Sequence, residues 1–272
     1  MPAWLPLEAV VADFRVDQAA GLRRLLGGGQ LQVVTFVAGC EGVGRSVAVA
    51  NIGVALARLG KEVLIIDEHS SRDDIASTFG LIARHDLLNV VEREKKLSEV
   101  LLQPMHGLRV LPAAKAVNKL VHFSMHQHQT FIDAKTGLDR SLDVILVDAC
   151  MTHPNGFSPF GIVSQEAVVV LSGSSASITE AYTLIKKVSH SFARRHFRIL
   201  VNKVKSYPDA RSIYENIAQV AVQRRIAQLD FRDIAADLVY WQRSENESGN
   251  VEQFLQQLLH LSQRITPNLI RA

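Results

Sequence analysis

Residues 31–46 read LQVVTFVAGCEGVGRS, and two kinds of local chemistry meet in that stretch. Residues 31–38 are a nearly unbroken apolar run, rich in valine, which is the pattern of a strand buried on both faces. Residues 39–46 set glycines at positions 39, 42 and 44 around Cys40, Glu41 and Val43, and end in Arg45 and Ser46. A helical pattern then runs from about Arg45 to Leu59. A buried strand, a glycine-rich turn and a helix in succession make a phosphate cradle, because the N–H groups of the turn and the positive end of the helix converge on one anion. Gly39, Gly42, Val43, Gly44, Arg45 and Ser46 are therefore the expected phosphate-binding residues. Taken alone, the loop also admits a bland reading, a structural glycine turn before a helix.

The rest of the chain repeats the same alternation. Residues 62–66 (EVLII) form a second apolar strand ending in Asp67, and residues 143–147 (DVILV) another ending in Asp148. Further strands are expected at 108–111, 167–171 and 197–201, with helical patterns at 177–190 and 211–225. Strands alternating with helices predict right-handed crossovers and an α/β fold, a doubly wound, mostly parallel sheet with helices on both faces. In such sheets ligands sit at the carboxyl ends of the strands. Asp67, Asp148 and the glycine turn would then share one crevice. There Ser46, Asp67 and Asp148 are the expected Mg2+ ligands, with Asp148 acting through water.

Composition removes several classes. With 272 residues, 47% hydrophobic, the chain can bury a full core without disulfide or metal staples. Thirty basic residues against 27 acidic ones do not by themselves indicate a nucleic-acid partner, and none is expected. No apolar run approaches the roughly 18 residues of a membrane span. The first residues lack a basic start, and Glu8 and Asp13 interrupt their apolar run, unlike a signal peptide. Cys40 and Cys150 read as two reduced thiols of a cytoplasmic protein.

Residues 13–26 carry Val16, Ala19, Leu22 and Leu26 at helical spacing, and Gly27, Gly28 and Gly29 then break the pattern. Two units are expected: residues 1–28, a helix on a glycine tether, and residues 29–272, the nucleotide-binding domain.

The motifs resemble the MinD/ParA branch of P-loop ATPases, the deviant Walker A group, and within it the flagellar-number regulators called FlhG or FleN. Asp17-Gln18-Ala19-Ala20-Gly21-Leu22-Arg23 is similar to the flagellar branch's DQAxxLR element. Residues 39–46 with Val49-Ala50-Asn51, the strands ending in Asp67 and Asp148, Gly107-Leu108-Arg109-Val110-Leu111-Pro112 and Val201-Asn202-Lys203 resemble segments shared more widely. The resemblance implies binding of ATP or ADP with Mg2+, a homodimer, and an adenine contact from Asn202 beside Lys203. It also implies that the N-terminal helix docks on the signal-recognition-type GTPase FlhF. Gln18 and Arg23 would reach that partner's nucleotide site, while Asp17 and Leu22 fix the helix. A flagellar transcription regulator or a basal-body ring protein would be a further partner.

Departures from the family pattern qualify this. The family loop is typically K-G-G-V-G-K-T, and its first Lys reaches the partner's phosphates across the dimer; here that position is Cys40. The second Lys is Arg45, a bulkier, planar cation. Glu41 replaces a glycine, and its carboxylate at roughly 5 Å from a phosphate charge would cost about 3 kcal/mol at an effective dielectric near 20. The family's Asp-x-Asp reads Asp67-Glu68-His69, so the second, water-positioning Asp is gone; alternation would point Glu68 to the other side of the sheet. Each loss would raise the barrier by about 2–4 kcal/mol, by analogy with a lost oxyanion-hole donor. The expectation is a nucleotide-binding switch with slow or absent hydrolysis, regulating flagellar number or placement. The competing readings are an active ATPase cycling on the membrane, and a degenerate relative serving cellulose synthesis or DNA partition.

The tail at residues 251–265 sets Val251, Phe254, Leu255, Leu258, Leu259 and Ile265 on one face. In relatives such a helix binds the inner face of the membrane. Here Arg264 is the only basic residue in that span, so docking on the body competes. His122, His126 and His128 read as a solvated segment rather than a metal site. Lys186, Lys187, Arg194, Arg195 and Arg198 read as a solvated face rather than a DNA patch.

Overall fold

The computed structural model describes residues 31–69, 74–123, 142–150, 159–162 and 166–235, with positions 126, 127, 130 and 164 besides. The expected N-terminal helix with Asp17, Gln18, Leu22 and Arg23, the tail at 251–265 and His128 lie outside the described residues.

Eight strands form one sheet: β1 (Gln32–Val37), β2 (Val63–Asp67), β3 (Leu102–Met105), β4 (Leu108–Pro112), β5 (Val144–Asp148), β6 (Glu166–Ser172), β7 (His196–Asn202) and β8 (Gln228–Ala235), in the spatial order β3-β4-β2-β5-β1-β6-β7-β8. All neighbours are parallel except β3, which runs antiparallel to β4. The expected doubly wound sheet is present. Two edge strands go beyond the expectation. Pro104 within β3 and the charged residues of β8 break the apolar run by which central strands are recognised, and edge positions tolerate both.

Alternation along the strands builds two cores. Val33 and Val37 enter one, with Leu64, Ile66 and Val147; Val34 and Phe36 enter the other, with Ile65, Leu146 and Leu200. Helix α1 (Arg45–Arg58) covers the second core through Ala48, Val49, Ile52, Ala55 and Leu56. The first core is covered by the short helices α3 (Leu87–Val91) and α5 (Ala114–Lys119) and by the two long helices α7 (Ser175–Phe192) and α8 (Tyr207–Gln223). The small helices α2 (Ile75–Thr78), α4 (Leu97–Val100) and α6 (Pro159–Ile162) fill the remaining turns.

The long helices are bounded by side chains. Ser174 caps α7 by accepting from Ser177 N–H at 3.2 Å, and Ala193 ends it in the left-handed region at φ 52°. Ser206 caps α8, which starts four residues earlier than expected because Pro208 falls in its first turn, where the missing N–H costs nothing.

Asp86 is the hinge of the short-helix side. Its carboxylate accepts from Leu88 N–H at 2.9 Å, capping α3, and from Lys115 and Ala116 N–H at 3.0 Å each, capping α5. Asp86→Ala leaves three poorly hydrated donors and should lower the unfolding free energy by about 2–4 kcal/mol in a urea melt. Asp86→Asn, which keeps an accepting oxygen, should lose less; equal losses would contradict the capping role.

Candidate functional site

Parallel register brings the expected residues to one end of the sheet. Asp67 and Asp148 are direct partners across β2 and β5, and Phe36 at the end of β1 pairs with Asp148 on its other side. By alternation Asp67 shares a face with Ile65, and Asp148 with Leu146, so both carboxylates lie on the side covered by α1. Asn202 ends β7 on the same face as Leu200.

The loop at 39–46 is held in three places. Gly39 packs on the backbone of α7, where an added Cβ would stand 2.4 Å from the Glu180 carbonyl carbon and 2.8 Å from Ala181 N. Gly44 takes φ 84°, and a Cβ there would meet Asn202 Nδ2 at 2.4 Å. The fully buried Asn202 side chain donates from Nδ2 to Val43 O at 2.9 Å and accepts from Lys203 N–H through Oδ1 at 2.8 Å. Lys203 Nζ donates to Gly42 O.

These ties aim the loop. In a trans peptide the C=O and N–H point opposite ways. Drawing the carbonyls of Gly42 and Val43 toward Asn202 and Lys203 therefore turns the N–H groups of Val43 and Gly44 away from them. Helix α1 begins there with no side-chain cap and no acid in its first turn. Its leading N–H groups are left for an anion. The resemblance assigns Asn202 an adenine contact; as placed, both ends of its amide serve the chain itself.

The carboxylates differ from the expectation in what holds them. Arg45 Nε donates to Asp148 Oδ1, in a pair whose side chains are 12% and 0% exposed. Asp148 Oδ2 is buried without a partner among the described residues. Asp67 accepts from His69 N–H at 3.0 Å and from Ile75 N–H at 2.9 Å, one on each oxygen. Burial first, and then the charge of Asp148, push the Asp67 carboxyl up to about 7, against those two donors. Glu68, also buried, accepts from Cys150 N–H at 3.2 Å, and its own N–H donates to Asp148 O at 3.1 Å. It lies on the far side of the strand from Asp67, as alternation requires.

Mg2+ demands a near-octahedral set of oxygens. In nucleotide sites waters and phosphate oxygens complete that set around one or two protein ligands; here a guanidinium occupies one oxygen of Asp148, and backbone donors occupy both oxygens of Asp67. The remaining oxygen, Asp148 Oδ2, is buried and open to a water or another ligand.

Other sequence signals disperse. Arg198 is buried in a two-pronged pair with Glu166 at 2.6 and 2.7 Å, and Arg194 donates to Ser164 O, leaving Lys186, Lys187 and Arg195 of that group exposed. Among the described residues no cluster of three or more metal-ligating side chains occurs. Among the described residues neither Cys40 nor Cys150 forms a disulfide. No helix among the described residues is long and apolar enough to cross a membrane.

Similar proteins agree with this architecture. The MinD cell division protein of Aquifex aeolicus superposes with a TM-score of 0.63 at 24% identity, covering 87% of this chain and 97% of that one; the same protein solved in a MinC:MinD complex gives 0.62. MinD from Pyrococcus horikoshii, solved with Mg-ADP, gives 0.57 at 15% identity, covering 86% and 96%. In sequence, the chain is 28% identical over 262 residues to the antiactivator FleN of Pseudomonas aeruginosa, covering 84% of this chain and 94% of that protein. The chain has the fold of the MinD/ParA-type P-loop proteins. Its similarity extends to the flagellum site-determining protein YlxH of Helicobacter pylori, 26% identical over 209 residues, covering 76% of this chain and 70% of that protein. No protein-family model matches the chain.

Within the loop that leaves β1, two glycines make opposite demands. Gly39→Ala drives a methyl into the α7 backbone and should cost more than the usual 1–3 kcal/mol of overpacking, by roughly a further 1 kcal/mol. Gly42→Ala meets open space and bears only the strain of its φ of 74°, about 1 kcal/mol. Denaturant melts of the two variants check the ordering; a larger loss for Gly42→Ala would contradict the placement of the loop on α7.

Proposed function

We propose that the chain is a nucleotide-binding regulator of flagellar number or placement that turns over ATP slowly or not at all. The observation that carries this reading is the uncapped start of α1, with the N–H groups of residues 43 and 44 turned out by Asn202 and Lys203, at the same sheet end as Asp67 and Asp148. The flagellar relatives FleN and YlxH support the biological side of it.

ATP or ADP would lie with its phosphates on the N–H groups of residues 42–46, beside the Ser46 hydroxyl. Asn202 and Lys203 would serve it by holding the loop. Positioning and electrostatics supply nearly all of phosphoryl-transfer catalysis, and this chain lacks two of the groups that do so in the family it resembles. Cys40 cannot reach a partner's phosphates as a lysine would. His69 replaces the water-positioning carboxylate. Glu68 is committed to Cys150 N–H and faces away, so it does not compensate. A homodimer and a membrane contact through residues 251–265 belong to the same reading, the first weakened by Cys40.

The output would come from the N-terminal element. Gln18 and Arg23, on a helix tethered by three glycines, would act on an FlhF-type GTPase, with Asp17 and Leu22 fixing the helix. That action needs no hydrolysis in this chain, so it survives the altered loop.

Two measurements test the reading. Purified chain should stimulate GTP turnover by the partner GTPase, and Gln18→Ala should return it to its unstimulated rate; unchanged stimulation would contradict the assignment. ATP turnover by the chain itself should fall about 30-fold or more below that of relatives with both lysines and the second aspartate, the equivalent of about 2 kcal/mol or more. Equal rates would refute the loss of catalysis.

A further inference from the structure

The contact between Arg45 and Asp148 reaches beyond the switch reading and rests on it. Arg45 opens α1, next to Ser46 and to the N–H groups that would hold phosphate. Its Nε is spent on Asp148 Oδ1, and its Nη1 and Nη2 groups have no partner among the described residues. The side chain is nonetheless largely covered, at 12% exposure. A guanidinium is planar, permanently charged, and carries donors on two edges, so it can bond one anion through Nε and another through its terminal nitrogens. A lysine ammonium is a point charge on a flexible stem and offers no such rigid bridge.

In P-loop sites a divalent ion makes that bridge, from the protein's carboxylate to the phosphates. Here the carboxylate at the end of β5 already has its cation, bonded through the chain. The neighbouring carboxylate of Asp67 has both oxygens on backbone donors. A doubly charged ion at Asp148 would meet the like charge of Arg45, already on one of that carboxylate's oxygens.

We propose that Arg45 stands in for the divalent cation: its guanidinium joins Asp148 to the phosphates of ADP or ATP, and the nucleotide binds without Mg2+. Arg45 is then a positioning cation for the ligand rather than a catalytic group. The same bridge accounts for the choice of arginine over lysine at this position.

Calorimetric titration of the full chain with ADP, in excess EDTA and again in excess MgCl2, tests this. The two dissociation constants should agree within about threefold. Arg45→Lys should weaken ADP binding by about tenfold or more in EDTA, and added Mg2+ should recover most of the loss, because Asp148 is then released to the ion. Binding by the native chain that demands Mg2+ would overturn the proposal and leave the nucleotide reading standing. An Arg45→Lys chain that binds as tightly as the native one in EDTA would overturn the role given to Arg45. Absence of ADP binding under both conditions would overturn the nucleotide reading and the proposal together.

Discussion

The parallel register of β1, β2 and β5 is the constraint on which the site depends. Because the three strands run the same way and are paired without an offset at their ends, Phe36, Asp67 and Asp148 finish in line. Alternation then puts both carboxylates on the α1 side, opposite the loop that leaves β1. A slip of one residue in β2 or β5 would turn its aspartate to the other core and bring an apolar side chain to the site. That slip would repack Val63, Leu64, Ile65 and Ile66 and leave the aspartate in an apolar core without its present donors. The chemistry at the sheet end therefore depends on packing along the whole strand.

That packing creates a problem the loop then answers. Two carboxylates held side by side away from water repel each other and lose hydration. The chain meets this with two backbone donors on Asp67 and a guanidinium on Asp148. A buried ion pair contributes little net stability, because desolvation offsets most of the attraction. Its better-supported use is to fix a geometry. Here it fixes the first turn of α1 relative to β5, and with it the N–H groups at the helix start. Asn202 and Lys203 fix the opposite side of the same loop.

Much of this was legible in the sequence because the central strands are buried on both faces. The runs ending at Val37, Asp67, Asp148 and near Asn202 are dense in Val, Ile and Leu, and their ends fall within one residue of the expected places. Asp67 and Asp148 could be singled out because a charged residue closing such a run has few structural reasons to be there. The edge strands β3 and β8 were not legible, since edge strands carry proline and charge. Asp86 was missed because capping two helices separated by more than twenty residues leaves no local pattern. The Arg45–Asp148 contact was not read either: the two residues are 103 positions apart, and only the register makes them neighbours. The N-terminal element with Gln18 and Arg23, the most specific sequence signal of the flagellar branch, lies outside the described residues.

The central claim is that the turn after β1 still offers its N–H groups to a diphosphate although its usual lysines are gone. A crystal structure of the chain grown with ADP tests it most directly. The account predicts the two phosphates seated over the N–H groups of residues 42–46, with Asn202 and Lys203 still on the carbonyls of Val43 and Gly42. A loop left vacant at saturating ADP, or a concavity filled by one of the chain's own side groups, would contradict it.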